Sequence, residues 1–469
     1  MTAMLRLIHR FHLPLAFAIA EIASVGSAVH AQAPSKPDTI PLSLDAAVRR
    51  AMQHNEDIGI ARSQVRGASA QRASARSLFL PQITSQSSYS RTLRGPFSDL
   101  GRIPTETPDD QVGSLFNDIS SRKNMYSNNI GASQLVFDRS ALSNLRAARE
   151  AEQVQELQLT ERELDVTLQI VQAYYGAVLA DRVVEISVAA LDEANKQLDH
   201  VRKTHVAGNA SELDVLNVEV QRDNLEPDRI DALNDRDQAL RNLQRLIDLK
   251  DEPSLRLTDS LDPERFAPVS ASELDAMAAT TLTRRASIAA ADRQIRIQKL
   301  RERGTRGLWV PSLSVGAGFA KQGAWANGAP NGNDLRDNWT VSVALQTPLF
   351  DGGQRRADVE AAHELAVQSQ LQLDQLKKSV ALEVAQQRGE LDRAAASVQA
   401  RSHTAALAAR NYDLMTLAYN KGVVNTLQLS DARLQLRQAR VNEVQALHDY
   451  YIALAKLRRA AGYSPYSIG

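Results

Sequence analysis

Apolar residues recur at three- and four-residue spacing along most of the chain, the period of a helix with one buried stripe. Short windows depart from it. Leu313, Val315, Ala317 and Phe319 alternate with Ser312, Ser314, Gly316 and Gly318. Trp339, Val341, Val343 and Leu345 alternate with Thr340, Ser342, Ala344 and Gln346. Period two is the signature of a strand. A weaker alternation covers Ile130, Ala132, Gln134 and Val136, and a proline-opened segment after Leu80 stands where its partner should be. Strands are therefore expected at about 80–92, 128–137, 310–320 and 339–349. They are about 9–11 residues long, enough to cross a bilayer when tilted in a barrel.

The helical pattern comes in two copies. Arg76-Ser-Leu-Phe-Leu-Pro81 matches Arg306-Gly-Leu-Trp-Val-Pro311, and Leu44-Asp45-Ala46 matches Leu274-Asp275-Ala276, both at an offset of 230. Phe137-Asp138 matches Phe350-Asp351 at 213, and Gly208 matches Gly422 at 214. A loop 17 residues longer in the first copy accounts for the change from 230 to 213. Each copy reads as a helical stretch of about 34 residues (Leu44–Ser77, Ser272–Thr305), two strands around a polar loop, a long helix and a return helix. The long helices run from Asp138 and Asp351 to about Ala207 and Lys421 without a proline. At 1.5 Å per residue, some 70 residues make roughly 100 Å. Gly208 and Gly422 end them; Asn209 or Ser211, and Asn425, can cap the return helices. A kink is expected at Pro227. In each copy the two shorter helices together match the long one in length, as they would if stacked end to end in a cylinder wall.

The resulting division is a signal peptide at 1–31, a first repeat at 32–249, a polar linker at 250–271, a second repeat at 272–461 and a tail at 462–469. The leader assignment rests on Arg6, His9 and Arg10, the apolar Phe11 to Ala20, and Val29-His30-Ala31, which puts small residues at −3 and −1 of a cut after Ala31, with a cut after Ala33 as the alternative. No later stretch is long and apolar enough for a membrane helix, so an exported chain of this kind is periplasmic, secreted or an outer-membrane β-barrel.

Composition removes most chemistry. Without cysteine there is no disulfide, thiolate metal site, thiol nucleophile or lipidated N-terminal cysteine. Lys plus Arg equals Asp plus Glu, 55 each, which gives no electrostatic case for nucleic acid. Aromatics at 5% suit Ala-rich coiled-coil packing rather than a thick core. The sequence holds no GxxxxGK[ST], HExxH or GxSxG, so neither an enzyme nor a cofactor is expected. His200 and His205 are badly spaced for one metal site. Arg284-Arg285 and Arg355-Arg356 read as solvated helix faces.

The repeated order of elements resembles the TolC family of outer-membrane efflux and secretion channels across essentially the whole mature chain. The carriers are Leu42-Ser-Leu44-Asp45-Ala-Ala, Leu80-Pro81-Gln-Ile, Val310-Pro311-Ser-Leu, Pro348-Leu-Phe-Asp-Gly-Gly353 and Tyr419-Asn-Lys-Gly422. The resemblance implies a mainly α protein with a membrane β-barrel part. Three copies would close a twelve-stranded barrel, continuing into a periplasmic α-helical barrel. It also implies partners: the chain itself as a homotrimer, outer-membrane lipid, a periplasmic adaptor and an inner-membrane pump. The tips around Gly208 and Gly422 would dock the adaptor, although plain helix capping explains both glycines equally well. Asp214 and Tyr419 match residues that hold the pore shut, with Val424 in place of a basic partner. The family's two tip acids fall at Gln428 and Asp431, so only one carboxylate ring is retained; a solvated helix face is the alternative for Asp214 and Asp431. A soluble periplasmic coiled-coil adaptor or scaffold is the second reading of the whole chain, and it predicts one hairpin rather than two.

Overall fold

The computed structural model describes residues 40–93, 122–249 and 255–466, save positions 327, 329, 332 and 333. The expected leader at 1–31 lies outside the described residues, as does most of the first interstrand loop. Helices α1 (Leu44–His54) and α2 (Glu56–Ser77) lead into strands β2 (Gln82–Arg91) and β3 (Asn124–Phe137). The long α3 (Arg139–Val206) and the return helix α4 (Glu212–Leu246) follow. The second copy repeats this as α5 (Ala271–Arg284), α6 (Ala286–Gly307), β5 (Ser312–Trp325), β6 (Leu335–Gln346), α7 (Gln354–Asn420) and α8 (Thr426–Ala460). Between the copies, β4 (Leu255–Leu257) pairs in parallel with β1 (Ile40–Leu42). Pro227 lies inside α4, whose helical assignment runs unbroken through it.

The helical stretches of about 34 residues are not single helices. Each breaks once, at Asn55 and Arg285, which are themselves 230 apart and have extended backbone with ψ of 130° and 116°. The cause is a tertiary joint. Asn55 Nδ2 donates to the carbonyl of Leu246 (3.2 Å), and Arg285 Nη1 donates to that of Ala460, the last residues of the two return helices. Backbone carbonyls at a helix C-terminus lack intrahelical donors, so each joint supplies one. Thus α2 meets α4, and α6 meets α8, end to end alongside the unbroken α3 and α7.

The joint marks the waist of the molecule, and the main core gathers there: Tyr174, Ile170, Leu243, Ile247, Leu261, Leu447 and Tyr450 are all buried. The segment read as a polar linker is partly structured for the same reason. The Asp259 carboxylate accepts from Leu44 N (2.9 Å) and lies 2.5 Å from Tyr174 Oη, which also reaches the Leu42 carbonyl at 2.9 Å. Burial and the neighbouring Asp259 push the Tyr174 phenol well above its usual value. The tail is docked as well: Tyr463 lies under the Arg284 guanidinium at 4.3 Å and shares a hydrogen bond with Thr280.

The arginine pairs are not both solvated. Arg285 and Arg355 are each only 6% exposed. Arg285 pairs with Glu383 (3.1 Å) and Glu161 (3.5 Å). Arg459 joins the same carboxylates and Asp165 (2.6 Å). Burial works against the Arg459 charge, but these three acids outweigh it and hold the guanidinium above its usual value. Arg355 pairs with Asp351, donates to the carbonyls of Leu308 and Pro348, and stacks on Trp309 at 4.4 Å. Sequence spacing puts such pairs near helix starts; it does not show the carbonyls and acids that distant elements bring to them.

Candidate functional site

The four long strands form one antiparallel sheet in the order β2-β3-β5-β6. Directly opposed residues share a face. Register pairs Trp339 with Phe319, Val341 with Ala317 and Val343 with Val315. It continues from Phe319 to Ile130 and from Ala132 to Ile83. The apolar face seen in β6 therefore continues through β5 to Ile130 and Ala132 of β3 and thins at β2, where Ile83 and Tyr89 flank Ser85 and Ser87. In one chain Trp339, Val341, Val343 and Leu345 remain 69–87% exposed, a surface that water does not stabilise. Tyr89 and Tyr126, opposed at the far end of the same face, add an aromatic rim. The opposite face carries Thr84, Gln86, Ser314, Gly316, Thr340 and Ser342. β2 and β6 are open edges, which no lipid environment tolerates unpaired.

Strands β3, β5 and β6 extend further from the waist than their alternation suggested, with β5 reaching Trp325 and β6 starting at Leu335. There the ladder is carried by polar pairs such as Gln322–Arg336 and Lys321–Asp337, which hydrophobic patterning cannot detect. Conversely, β6 stops at Gln346, before Pro348.

At the other end, both hairpin tips use one device. Gly208 (φ 80°) and Gly422 (φ 72°) adopt the left-handed conformation that side chains resist. Asn209 N donates to Thr204 O, and Val423 N to Ala418 O, closing a Schellman cap in each. Each return helix then opens with a capping box. Ser211, not Asn209, is the first cap: its Oγ accepts from Asp214 N (3.1 Å), while Asp214 Oδ2 accepts from Ser211 N (3.1 Å). In the second tip Asn425 Oδ1 accepts from Gln428 N (3.0 Å), and Gln428 Oε1 accepts from Asn425 N (3.1 Å). The Ser211 hydroxyl and amide hold the Asp214 carboxyl below the usual aspartate value. Asp214 and Gln428 are thus equivalent residues, 214 apart, and both complete caps. The spacings S-x-x-D and N-x-x-Q carry this signal locally, and a reading focused on charge passes over it.

Within one chain Asp214 is held by Ser211, while the Tyr419 ring faces His200 edge-on at 6.3 Å. His205 Nδ1 lies 2.9 Å from the Ala210 carbonyl. Among the described residues no group of His, Asp or Glu could hold a metal ion. Asp431 is exposed and borders a cavity of about 290 Å³, lined also by Asn224, Asp228, Ser430, Arg433 and Arg437. The two hairpins are tied by an Arg437–Asp228 ion pair in the cavity wall and by Tyr412 Oη donating to Glu193 (3.0 Å). These ties join residues more than 200 positions apart, and no local pattern announces them. Around the tips Val206, Leu213, Leu216, Val423 and Leu427 are exposed.

A sheet with one apolar face and two open edges, carried on paired rods with capped tips, defines a subunit of a membrane channel. A model of the outer membrane efflux protein family matches residues 47–248 and 278–463, and the chain belongs to that family. The alkaline protease secretion protein AprF of Pseudomonas aeruginosa is 24% identical over 342 residues, covering 72% of this chain and 69% of that one. The outer membrane efflux protein BepC of Brucella suis is also 24% identical, covering 90% and 85%. The open-state MtrE outer membrane channel of Neisseria gonorrhoeae superposes with a TM-score of 0.69 at 18% identity, over 90% of this chain and 89% of that one. The chain is an outer-membrane channel protein whose helices extend into the periplasm. The family match spans both halves, and the soluble-adaptor reading does not stand.

Proposed function

We propose that three copies assemble into a passive exit duct serving a tripartite efflux pump or a type I secretion system. The observation that carries this is the sheet: one apolar face and two unpaired edges in each chain. Pairing β6 of one copy with β2 of the next continues the antiparallel alternation and removes every edge in a twelve-stranded barrel. The apolar face then meets lipid and the Ser/Thr/Gly face lines the lumen. The tips dock a periplasmic adaptor, through the bare backbone at Gly208 and Gly422 and the apolar side chains around them, and an inner-membrane pump supplies the energy. The duct carries out no catalysis and needs no cofactor. The relatives' names divide between protease secretion and efflux, so the cargo comprises small molecules or proteins.

Asp214, Tyr419, Gln428 and Asp431 form the constriction, with Asp431 supplying its charge. Because the chain has no native cysteine, introduced pairs can be placed without background. One cysteine on the outer edge of β2 and one on that of β6 should crosslink in the membrane to a covalent trimer. Crosslinking that stops at monomers in every register would refute the ring. A single cysteine at Val206 or Leu213 should capture an adaptor in cells.

A further inference from the structure

Just below the strands, between α2 and α3 of the same chain, lies a cavity of about 340 Å³ lined by Ser69, Arg72, Ala73, Arg76, Leu145 and Arg149. Three guanidinium groups converge on it. Arg72 is paired with Glu152 at 2.7 Å. Arg76 and Arg149 are exposed and have no partner among the described residues. The acids closest in sequence to Arg149 are engaged elsewhere, Glu150 by Arg293 (3.0 Å) and Glu152 by Arg72. No acidic residue occurs on α2 after Asp57. On α3, Leu142, Arg146 and Arg149 fall on one stripe by their spacing of four and three residues.

The position of this pocket is set by the fold. Arg76 is within a turn of the end of α2, and the cavity's far side, Arg149, is ten residues into α3, about 15 Å from the strand end. Exposed Leu78, Leu80 and Leu142 stand between the arginines and the lipid-facing sheet. This is the helix-bearing end of the sheet, so it lies at the membrane leaflet that faces the periplasm. An apolar step followed by unpaired guanidinium groups is the layout of acyl chain, glycerol and phosphate in one phospholipid. Arginine recognises phosphate by forked hydrogen bonds, and its long stem lets the head reach the interface.

We infer that the cavity holds the phosphate headgroup of an anionic phospholipid of the periplasm-facing leaflet, with Arg76 and Arg149 as its ligands. Arg72 stays on Glu152 and shapes the wall. The acyl chains lie over Leu80 and Leu142. The lipid then bridges α2, an edge element of the subunit, to the central α3, and so braces the joint between barrel and helices.

The test uses the purified, delipidated full chain in detergent and native mass spectrometry. Phosphatidylglycerol should be retained about tenfold more than phosphatidylcholine, and the preference should shrink as salt is raised. Arg76→Gln with Arg149→Gln should bring the two lipids to parity. The paired lysine substitutions should keep part of the preference. Arg410→Gln with Arg440→Gln, the same charge change on the tip helices, should leave it intact. Equal retention of the two lipids by the parent chain would overturn the proposal. So would a preference that survives the double glutamine variant. Thermal stabilisation by millimolar inorganic phosphate equal to that by the lipid would mark a free-anion site and overturn the lipid assignment. Should the glutamine pair not fold, the parent's salt series and the lysine pair decide the matter.

Discussion

The two halves of the chain build the same device with opposite charge at two positions, the residue that breaks the first helix and the residue that closes the tip cap. In the first half the residue that breaks the helix is neutral, an Asn55 amide on the Leu246 carbonyl, with Arg50 donating beside it to the carbonyls of Ile247 and Asp248, and the tip cap is charged, Asp214 on Ser211. In the second half the joint is charged, Arg285 on the Ala460 carbonyl among Glu161 and Glu383, and the tip cap is neutral, Gln428 on Asn425. Geometry has been retained across the duplication and electrostatics has not. Capping demands an acceptor at the right distance and is indifferent to whether it carries charge. A constriction on a three-fold axis is not indifferent, because like charges there add. Gln428 therefore serves the fold of its tip as Asp214 serves the other, and in the proposed constriction it would present no charge to ions.

The contrast is broken most forcefully at the joints. Arg285→Ala leaves Glu161 and Glu383 facing one fewer cation and a helix end without its donor, and should cost about 3–5 kcal/mol. Asn55→Ala removes a neutral bond and cap and should cost about 0.5–2 kcal/mol. Equal losses in thermal unfolding of the two variants would show that the charge at the second joint adds nothing.

The tips should respond alike to backbone and differently to charge. Gly208→Val and Gly422→Val each force a branched residue into the left-handed region, at roughly 1–2 kcal/mol. Hydrogen exchange at the adjoining amides should quicken by the same factor in both. A smaller effect separates the tips by pH. Asp214 is held below the ordinary aspartate value of 3.8, so its contribution is complete above that value and is lost as pH falls through its lower folded value. The first tip should loosen in acid, while the Gln428 box does not titrate. Amide exchange that accelerates equally at both tips would contradict this. Smallest for stability is Asp431→Ala, an exposed substitution, but it should lower cation over anion selectivity in single-channel recordings. Unchanged selectivity would remove Asp431 from the constriction.

Much of this was written in the sequence. The duplication, the prolines opening β2 and β5, the alternation in β5 and β6 and the glycines ending α3 and α7 are local signals with local causes. The helix breaks at Asn55 and Arg285 are masked by the helical period that runs through both; Asn55 before Glu56 and Asp57 is a cap signal, whereas Arg285 makes no cap bond. What stops the helix is a carbonyl from an element 191 residues away in one copy and 175 in the other. The strand extensions past Phe319 and before Trp339 were hidden because their ladder is built from polar residues. At the candidate site the glycines could be placed by spacing, and Asp431 only by the family resemblance, whereas the link from Tyr419 to His200 and the tie from Asp228 to Arg437 arise only when the hairpins pack.

The two open edges of the sheet carry a genetic consequence. In the proposed ring each copy accepts a neighbour along β2 and offers β6 to the next, so a chain damaged along one edge alone would still join a complex. A proline in β6 would leave β2 free to recruit an intact subunit into a ring that never seals. Such an allele should be dominant when expressed beside the parent gene, poisoning mixed assemblies, whereas a deletion of the same gene should be recessive.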